Sequence, residues 1–297
     1  MKRLFVILMI MSVCSCEKLG KDGRVRQEVD YSQWYYDDMV EDDGKPRVKI
    51  MSFNVRNKNG DDTNEKHWNN RRKGCYAMIN TLRPVVMGVQ ECKGSQKDEL
   101  EANCKGYEVA GKGRQGNWGD EHCAIFYLKD SVSVHGYGNF WLTQTPDKVS
   151  KHPEAAHYRM ATWLKFKHTK TGNYFYVLNT HLDLAVVRDF EMAVIMNYIE
   201  NNFGDTPVVL TGDWNTTETD PIFAYMYQTF QDARAVAQSG DSYGTFNGFS
   251  NPNNTKRIDH IFCRGFSACT EFVTVKQSWE GFQFISDHYP VYAVLKF

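Results

Sequence analysis

Apolar residues in this chain gather in short runs that end abruptly in polar side chains. Val48 to Val55 is a run of strand-forming residues closing in Asn54, and Val85 to Val89 is fully apolar with Gln90 and Glu91 at its exit. Cys123 to Leu128, Tyr174 to Thr180, Val208 to Leu210, Arg257 to Cys263 and Val291 to Lys296 read as further strands. Two stretches carry helical spacing. One starts near His67, with Cys75, Ile79 and Leu82 in phase and Pro84 past its end. The other places Val186, Phe190, Val194 and Tyr198 four apart and stops at Gly204. Strands mixed with few helices predict an α/β layered domain. The aromatic stripe Trp141, Trp163 and Tyr174 reads as core, and Thr245 to Phe249 as a tight turn.

The strand ends carry the chemistry. Residues i and i+2 of an extended segment face the same side, so Asp213 and Asn215 share a face while Trp214 turns away. The other ends hold Asn54, Glu91, His181 with Asp183, Asp259 with His260, and Asp287 with His288. One such residue is an ordinary turn feature. Several at one sheet edge make an acidic pocket that needs a cation. Carboxylate and amide oxygens without a cysteine partner suit Mg²⁺ or Mn²⁺ better than zinc. Histidines beside carboxylates add proton transfer near neutral pH, and metal, imidazole and carboxylate together suit attack on a phosphate ester.

Ser-Phe-Asn54, Gly-Val-Gln-Glu91, Asn-Thr-His181-Leu-Asp183, Thr-Gly-Asp213-Trp-Asn215, Arg-Ile-Asp259-His-Ile and Ser-Asp287-His288-Tyr-Pro-Val occur in this order. Together they resemble the endonuclease/exonuclease/phosphatase superfamily, which includes deoxyribonuclease I, exonuclease III, neutral sphingomyelinases and inositol polyphosphate 5-phosphatases. The resemblance implies a four-layered α/β sandwich, two mixed β-sheets face to face with outer helices, and a metal-dependent phosphoesterase over residues 47–297. It implies Glu91 as principal metal ligand with Asn54 and Asp287 nearby. It makes Asp213 the group that orients or deprotonates water, Asn215 a phosphate-contacting amide, and His288 a base or phosphate-binding imidazole held by Asp259. His181 resembles the proposed acid, Glu121 the carboxylate bracing that histidine, and Arg159 a phosphate-binding arginine. Asp183 is read as supporting, by capping or a local salt bridge.

Composition adjusts this picture without redirecting it. The chain has 297 residues, 42% hydrophobic and 24% charged, with a formal charge of −1, so no basic excess marks a dedicated nucleic-acid binder. Lys2-Arg3, the apolar run Leu4 to Met11 and Val13-Cys14-Ser15-Cys16 predict an export signal over 1–16 that resembles a bacterial lipobox, with lipid on Cys16. Removing Lys2 and Arg3 leaves 33 bases against 36 acids, a charge of −3. Residues 17–46 are polar and read as a tether. Cys75, Cys92, Cys104, Cys123, Cys263 and Cys269 remain; an oxidising compartment permits disulfides among them, with pairing open. The expectation is an extracytoplasmic, lipid-anchored, monomeric hydrolase of phosphate esters. A surface nuclease and a sphingomyelinase-like phospholipase C are the alternatives; a non-catalytic metal-binding lipoprotein is the remote one. A two-carboxylate glycosidase leaves the histidines unexplained. The loops at 112–121 and 147–158 mix both charge signs, so a nucleic-acid substrate is not favoured and the phosphoester stays open.

Overall fold

The computed structural model describes residues 46–297, together with the backbone of β1 (Cys16–Leu19) and β2 (Val25–Glu28), which pair antiparallel. The expected export signal and most of the tether lie outside the described residues. The strands that follow are β3 (Arg47–Asn54), β4 (Val86–Lys93), β5 (Tyr107–Ala110), β6 (Glu121–Leu128), β7 (Val132–Trp141), β8 (Met160–His168) and β9 (Tyr174–His181). They continue as β10 (Val208–Asp213), β11 (Gln231–Asp232), β12 (Ala237–Gly240), β13 (Asp259–Arg264), β14 (Ala268–Thr274) and β15 (Val291–Lys296). The helices are α1 (Trp68–Leu82), α2 (Gly94–Asn103), α3 (Arg188–Asn202) and the single turn α4 (Ala233–Val236).

Two mixed sheets result. One runs β12-β14-β15-β3-β4-β6-β5 and the other β11-β13-β10-β9-β8-β7. Period-two alternation decides what each strand face covers. Along β3, Val48 and Ile50 enter the cluster between the sheets, while Met51 and Phe53 join Trp68, Cys75, Met78 and Ile79 of α1 on the outside. Along β10, Val209 faces inward, while Val208 and Leu210 pack with Met192, Ile195, Met196 and Ile199 of α3. The layers are therefore helix, sheet, sheet, helix, as the resemblance implied.

The sheets meet through apolar packing at one end and a polar network at the other. Asn179 of β9 donates from Nδ2 to the Val89 and Ala124 carbonyls, at 2.9 and 3.0 Å, across to β4 and β6. Its Oδ1 accepts from Gln90 Nε2 (2.7 Å) and Thr211 Oγ1 (3.1 Å). Gly88 permits this approach: a Cβ there would stand 2.1 Å from Thr211 Oγ1 and 2.6 Å from Asn179 Oδ1. A buried network of this kind fixes the register of the two sheets beneath the polar strand ends.

Three expectations change. The buried face of α3 is Glu191, Met192, Ile195, Met196 and Ile199; Val194 and Tyr198 sit at its margin, and Val186 precedes the helix, 70% exposed. Flexible methionines fill the gap against the sheet, two positions off the expected ladder, and the buried isoleucines lie one off. Tyr174 is 40% exposed at the start of β9, flanked by Lys165 and Lys167, so the aromatic stripe is core only at Trp141 and, in part, Trp163. Cys75, Cys92, Cys104, Cys123, Cys263 and Cys269, whose pairing the sequence leaves open, are buried free thiols.

Candidate active site

Register brings the site together. On the six-stranded sheet, Asp213 pairs with His181 across the parallel β9 and with Asp259 across the antiparallel β13. On the facing sheet, β3 and β4 run parallel with Asn54 opposite Gln90. The ladder between β4 and β6 slips between Val89 and Cys92, and Glu91 adopts φ +58° within that bulge. A bulge re-aims a side chain that plain alternation would turn elsewhere. Asn215 at φ +53° and Arg56 at φ +54° are also left-handed, so three cleft residues carry uncommon backbone geometry.

Asp213 is the hub. Asn54 Nδ2 donates to Asp213 Oδ2 (2.9 Å) and to Glu91 Oε1 (3.1 Å), joining the two sheets' carboxylates. Asp213 Oδ2 also lies 3.4 Å from His181 Nε2 and 3.7 Å from His288 Nε2. Asp213 Oδ1 accepts from the Asn215 backbone N–H at 3.0 Å. Asn215 Nδ2 stands 3.2 Å from His181 Nε2 and donates to the Leu182 carbonyl at 2.8 Å. His288 Nδ1 meets Asp259 Oδ2 at 2.8 Å, with the Phe246 ring edge-on against the imidazole. Thr245 Oγ1 accepts from the backbone N–H groups of Ile258 and Asp259, so the Thr245 to Phe249 turn is a brace for this pair.

The two imidazoles sit in opposite fields. Burial alone would lower His288, but the Asp259 carboxylate, and then Asp213, hold it well above the usual histidine value. His181 is driven well below that value by burial and by the positive charges of Arg159 and His288. Burial raises Asp213, and His288 pulls it back.

The remaining expected residues distribute around this hub. Glu91 Oε2 accepts from the backbone and side-chain N–H groups of Asn57, at 3.1 and 3.2 Å. Asp287 lies 3.7 Å from Arg56, whose guanidinium is forked onto Asp62. Arg159 is buried and lies 3.7 Å from Asp183 Oδ1, while Asp183 Oδ2 accepts from the His157 backbone N–H. Asp183 is thus a local brace for the loop that carries Arg159. Glu121 departs from its expected place. Its carboxylate pairs with Arg114 at 2.8 Å and accepts from Asn57 at 3.2 Å, and it makes no hydrogen bond to His181.

A cation would fit here. The ligand atoms of Glu91, His181 and Asp213 lie within 4.8 Å of one another, and so do those of Asp213, Asp259 and His288. Asp259 Oδ1 is buried without a hydrogen-bond partner among the described residues. The donors are oxygen and imidazole nitrogen, which suits a hard divalent ion. Of the three expected ligands, Glu91 belongs to a cluster. Asn54 and Asp287 stand beside it, with Asn54 Oδ1 accepting from the Arg56 N–H and Asp287 facing Arg56.

Sequence reasoning missed several residues that shape the cleft. Arg71 of α1 is fully buried and donates to the carbonyls of Val55, Arg56, Lys66 and Ile285. It pins the loop after Asn54 to the segment before Asp287. Glu191 of α3 is buried, accepts from the Asp183 N–H at 2.8 Å, and is pushed up to about 8 by burial. No motif marks either residue: Arg71 reaches the Ile285 carbonyl across 214 positions, and Glu191 is a charged residue on an otherwise apolar helix face.

Comparison with known proteins agrees with this geometry. The chain aligns over 84% of its length with all of a mannosyl-6-phosphatase from Bacteroides thetaiotaomicron, at 29% identity and a TM-score of 0.80. It aligns over 84% with 99% of an endonuclease/exonuclease/phosphatase from Bacteroides vulgatus, at 30% identity and a TM-score of 0.79. A stretch of 114 residues is 31% identical to Nocturnin of Drosophila melanogaster; it is 36% of this chain but 16% of that protein. The Endonuclease/Exonuclease/phosphatase family model matches residues 51–288, a span holding every residue of the cleft described above, and the chain belongs to that family.

Proposed function

We propose that the chain is a Mg²⁺- or Mn²⁺-dependent hydrolase of phosphate esters, exported and anchored through lipid on Cys16. The observation that carries the reading is the sharing of one carboxylate oxygen, Asp213 Oδ2, by Asn54, His181 and His288, with Asp259 behind His288. A non-catalytic binder has no use for a carboxylate and two differently charged imidazoles around one point. A divalent ion held at Glu91 and Asp213 would neutralise phosphoryl charge.

The chain's own groups supply the rest. Asp213 orients the attacking water and takes its proton; burial lifts the carboxylate toward that task. His288, kept charged by Asp259, donates to a phosphoryl oxygen or to the leaving oxygen, a role that neutral His181 fills less readily. Asn215, fixed by Leu182 and Asp213, offers its amide to the phosphate, and Arg159 adds a guanidinium. The mannosyl-6-phosphatase likeness supports a sugar-phosphate substrate over DNA, as does the absence of a basic excess. The export signal and lipobox-like Cys16 support the extracytoplasmic location.

The test is a substrate panel for the full-length chain with Mg²⁺ or Mn²⁺: sugar phosphates, DNA, sphingomyelin and phosphatidylinositol phosphates. Hydrolysis of a phosphate ester that stops in EDTA is expected. Sugar hydrolysis that survives EDTA, or no phosphoester turnover at all, would remove the assignment.

A further inference from the structure

One charged side chain in the cleft wall is not used by the chemistry above. Arg114 lines a small pocket with Glu91, Glu121, Tyr158, Arg159 and His181, at the edge of the cleft. Its position is built. Its backbone N–H donates to the Glu121 carbonyl at 2.9 Å, and the Trp141 indole N–H donates to its carbonyl at 2.7 Å. Its guanidinium forks onto Glu121, with Nη1 to Oε2 at 2.8 Å and Nη2 to Oε1 at 3.2 Å. That fork leaves guanidinium N–H groups over. Arg159 beside it is buried, holds Asp183 only at 3.7 Å, and keeps a buried Nε with no hydrogen-bond partner among the described residues. Two guanidiniums with spare donors therefore line the same pocket as His181, whose Nε2 lies 3.4 Å from Asp213 Oδ2.

Phosphate esters differ in what they present to such a wall. A terminal phosphate carries close to two charges at neutral pH and three non-bridging oxygens. A diester carries one charge, and its second ester oxygen brings a substituent where the third acceptor would be. Arginine forks match bare phosphoryl oxygens and bond them strongly. A second substituent takes the place of that third acceptor and leaves these poorly solvated donors without one, which is costly.

We propose that Arg114, with Arg159, is the specificity-determining wall of this site and selects a terminal phosphate monoester over a phosphodiester. The inference rests on the phosphoesterase reading and narrows its substrate class. Glu121 holds Arg114 in place, which explains a carboxylate that makes no hydrogen bond to His181.

The experiment compares the full-length wild type, Arg114→Ala and Arg114→Lys on p-nitrophenyl phosphate and bis-p-nitrophenyl phosphate, with inorganic phosphate as inhibitor. Loss of a charge-assisted bond predicts that the monoester-to-diester ratio of kcat/KM falls roughly 10–100-fold in Arg114→Ala. Inhibition by inorganic phosphate should weaken in parallel, and Arg114→Lys, which keeps charge without the fork, should fall between. A ratio that stays at the wild-type value in both variants, or a wild type that prefers the diester, overturns the role of Arg114. Thermal melts separate this from misfolding: should Arg114→Ala fail to fold, the ratio and phosphate inhibition of Arg114→Lys decide. A wild type that cleaves neither ester overturns the phosphoesterase reading itself.

Discussion

His288 and His181 flank the same oxygen of Asp213, and both are buried, yet their surroundings treat them oppositely. His288 has a carboxylate at its far nitrogen and an aromatic edge on its face. His181 has an amide beside it and arginines behind it. One ring is held charged and the other neutral, so identical side chains one carboxylate apart can serve different steps. The lesson is that distance to Asp213 does not assign the roles; the next neighbour out does.

The largest effect should come from removing the charged ring. His288→Ala should lower kcat by about 10²–10⁴-fold in a phosphate-release assay, more than His181→Ala. Equal losses would break the comparison. Asp259→Asn should cost nearly as much as His288→Ala, because it removes the charge that holds the ring, while the double variant should lose little beyond either alone.

Arg71 tests the scaffold beneath this asymmetry. Arg71→Met leaves four carbonyls, two of them buried, without their donor and should lower unfolding stability by about 2–4 kcal/mol, read by denaturant titration. Activity should fall too, since the loops carrying Asn57 and Asp287 lose their common tie.

The smallest effect sits on the His181 side. Glu191 carries its proton in the folded chain up to about 8, against an ordinary value of 4.5. The folded state then binds more protons than the unfolded one between those values, so stability falls as pH rises through the window. Glu191→Gln mimics the protonated form. Relative to it, the wild type should lose up to about 1.4 kcal/mol per pH unit across that window, with the two alike below it. Parallel stability curves from pH 5 to 9 would show that Glu191 is not buried as described.

Much of the cleft was legible because its motifs sit where apolar runs stop. Asn54, His181 and Asp213 close strands, Glu91 lies near the end of β4, Asp259 opens β13 and His288 precedes β15, and such boundaries of apolar runs are visible in hydrophobicity alone. The rest depended on contacts that no window contains. Arg71 reaches the Ile285 carbonyl across 214 positions, and Asn179 bonds to Val89 and Ala124 on the other sheet. Helix α2 escaped notice because only Gly94, Gln96 and Leu100 are buried, which gives no apolar period. Strand β7 mixes exposed and buried positions without clean alternation, and β14 buries the polar Thr270 and Thr274. Glu121 was misplaced because its partner Arg114 lies on a loop whose fold the sequence does not announce.

The central claim is that one cation-holding cleft around Asp213 breaks phosphate esters. Its most direct test is phosphate release by the full-length chain before EDTA, in EDTA, and after Mg²⁺ or Mn²⁺ is restored, with Asp213→Asn run alongside. The account predicts loss and recovery in the wild type and no recovery in the variant. Undiminished turnover in EDTA, or near wild-type turnover by Asp213→Asn, would contradict it.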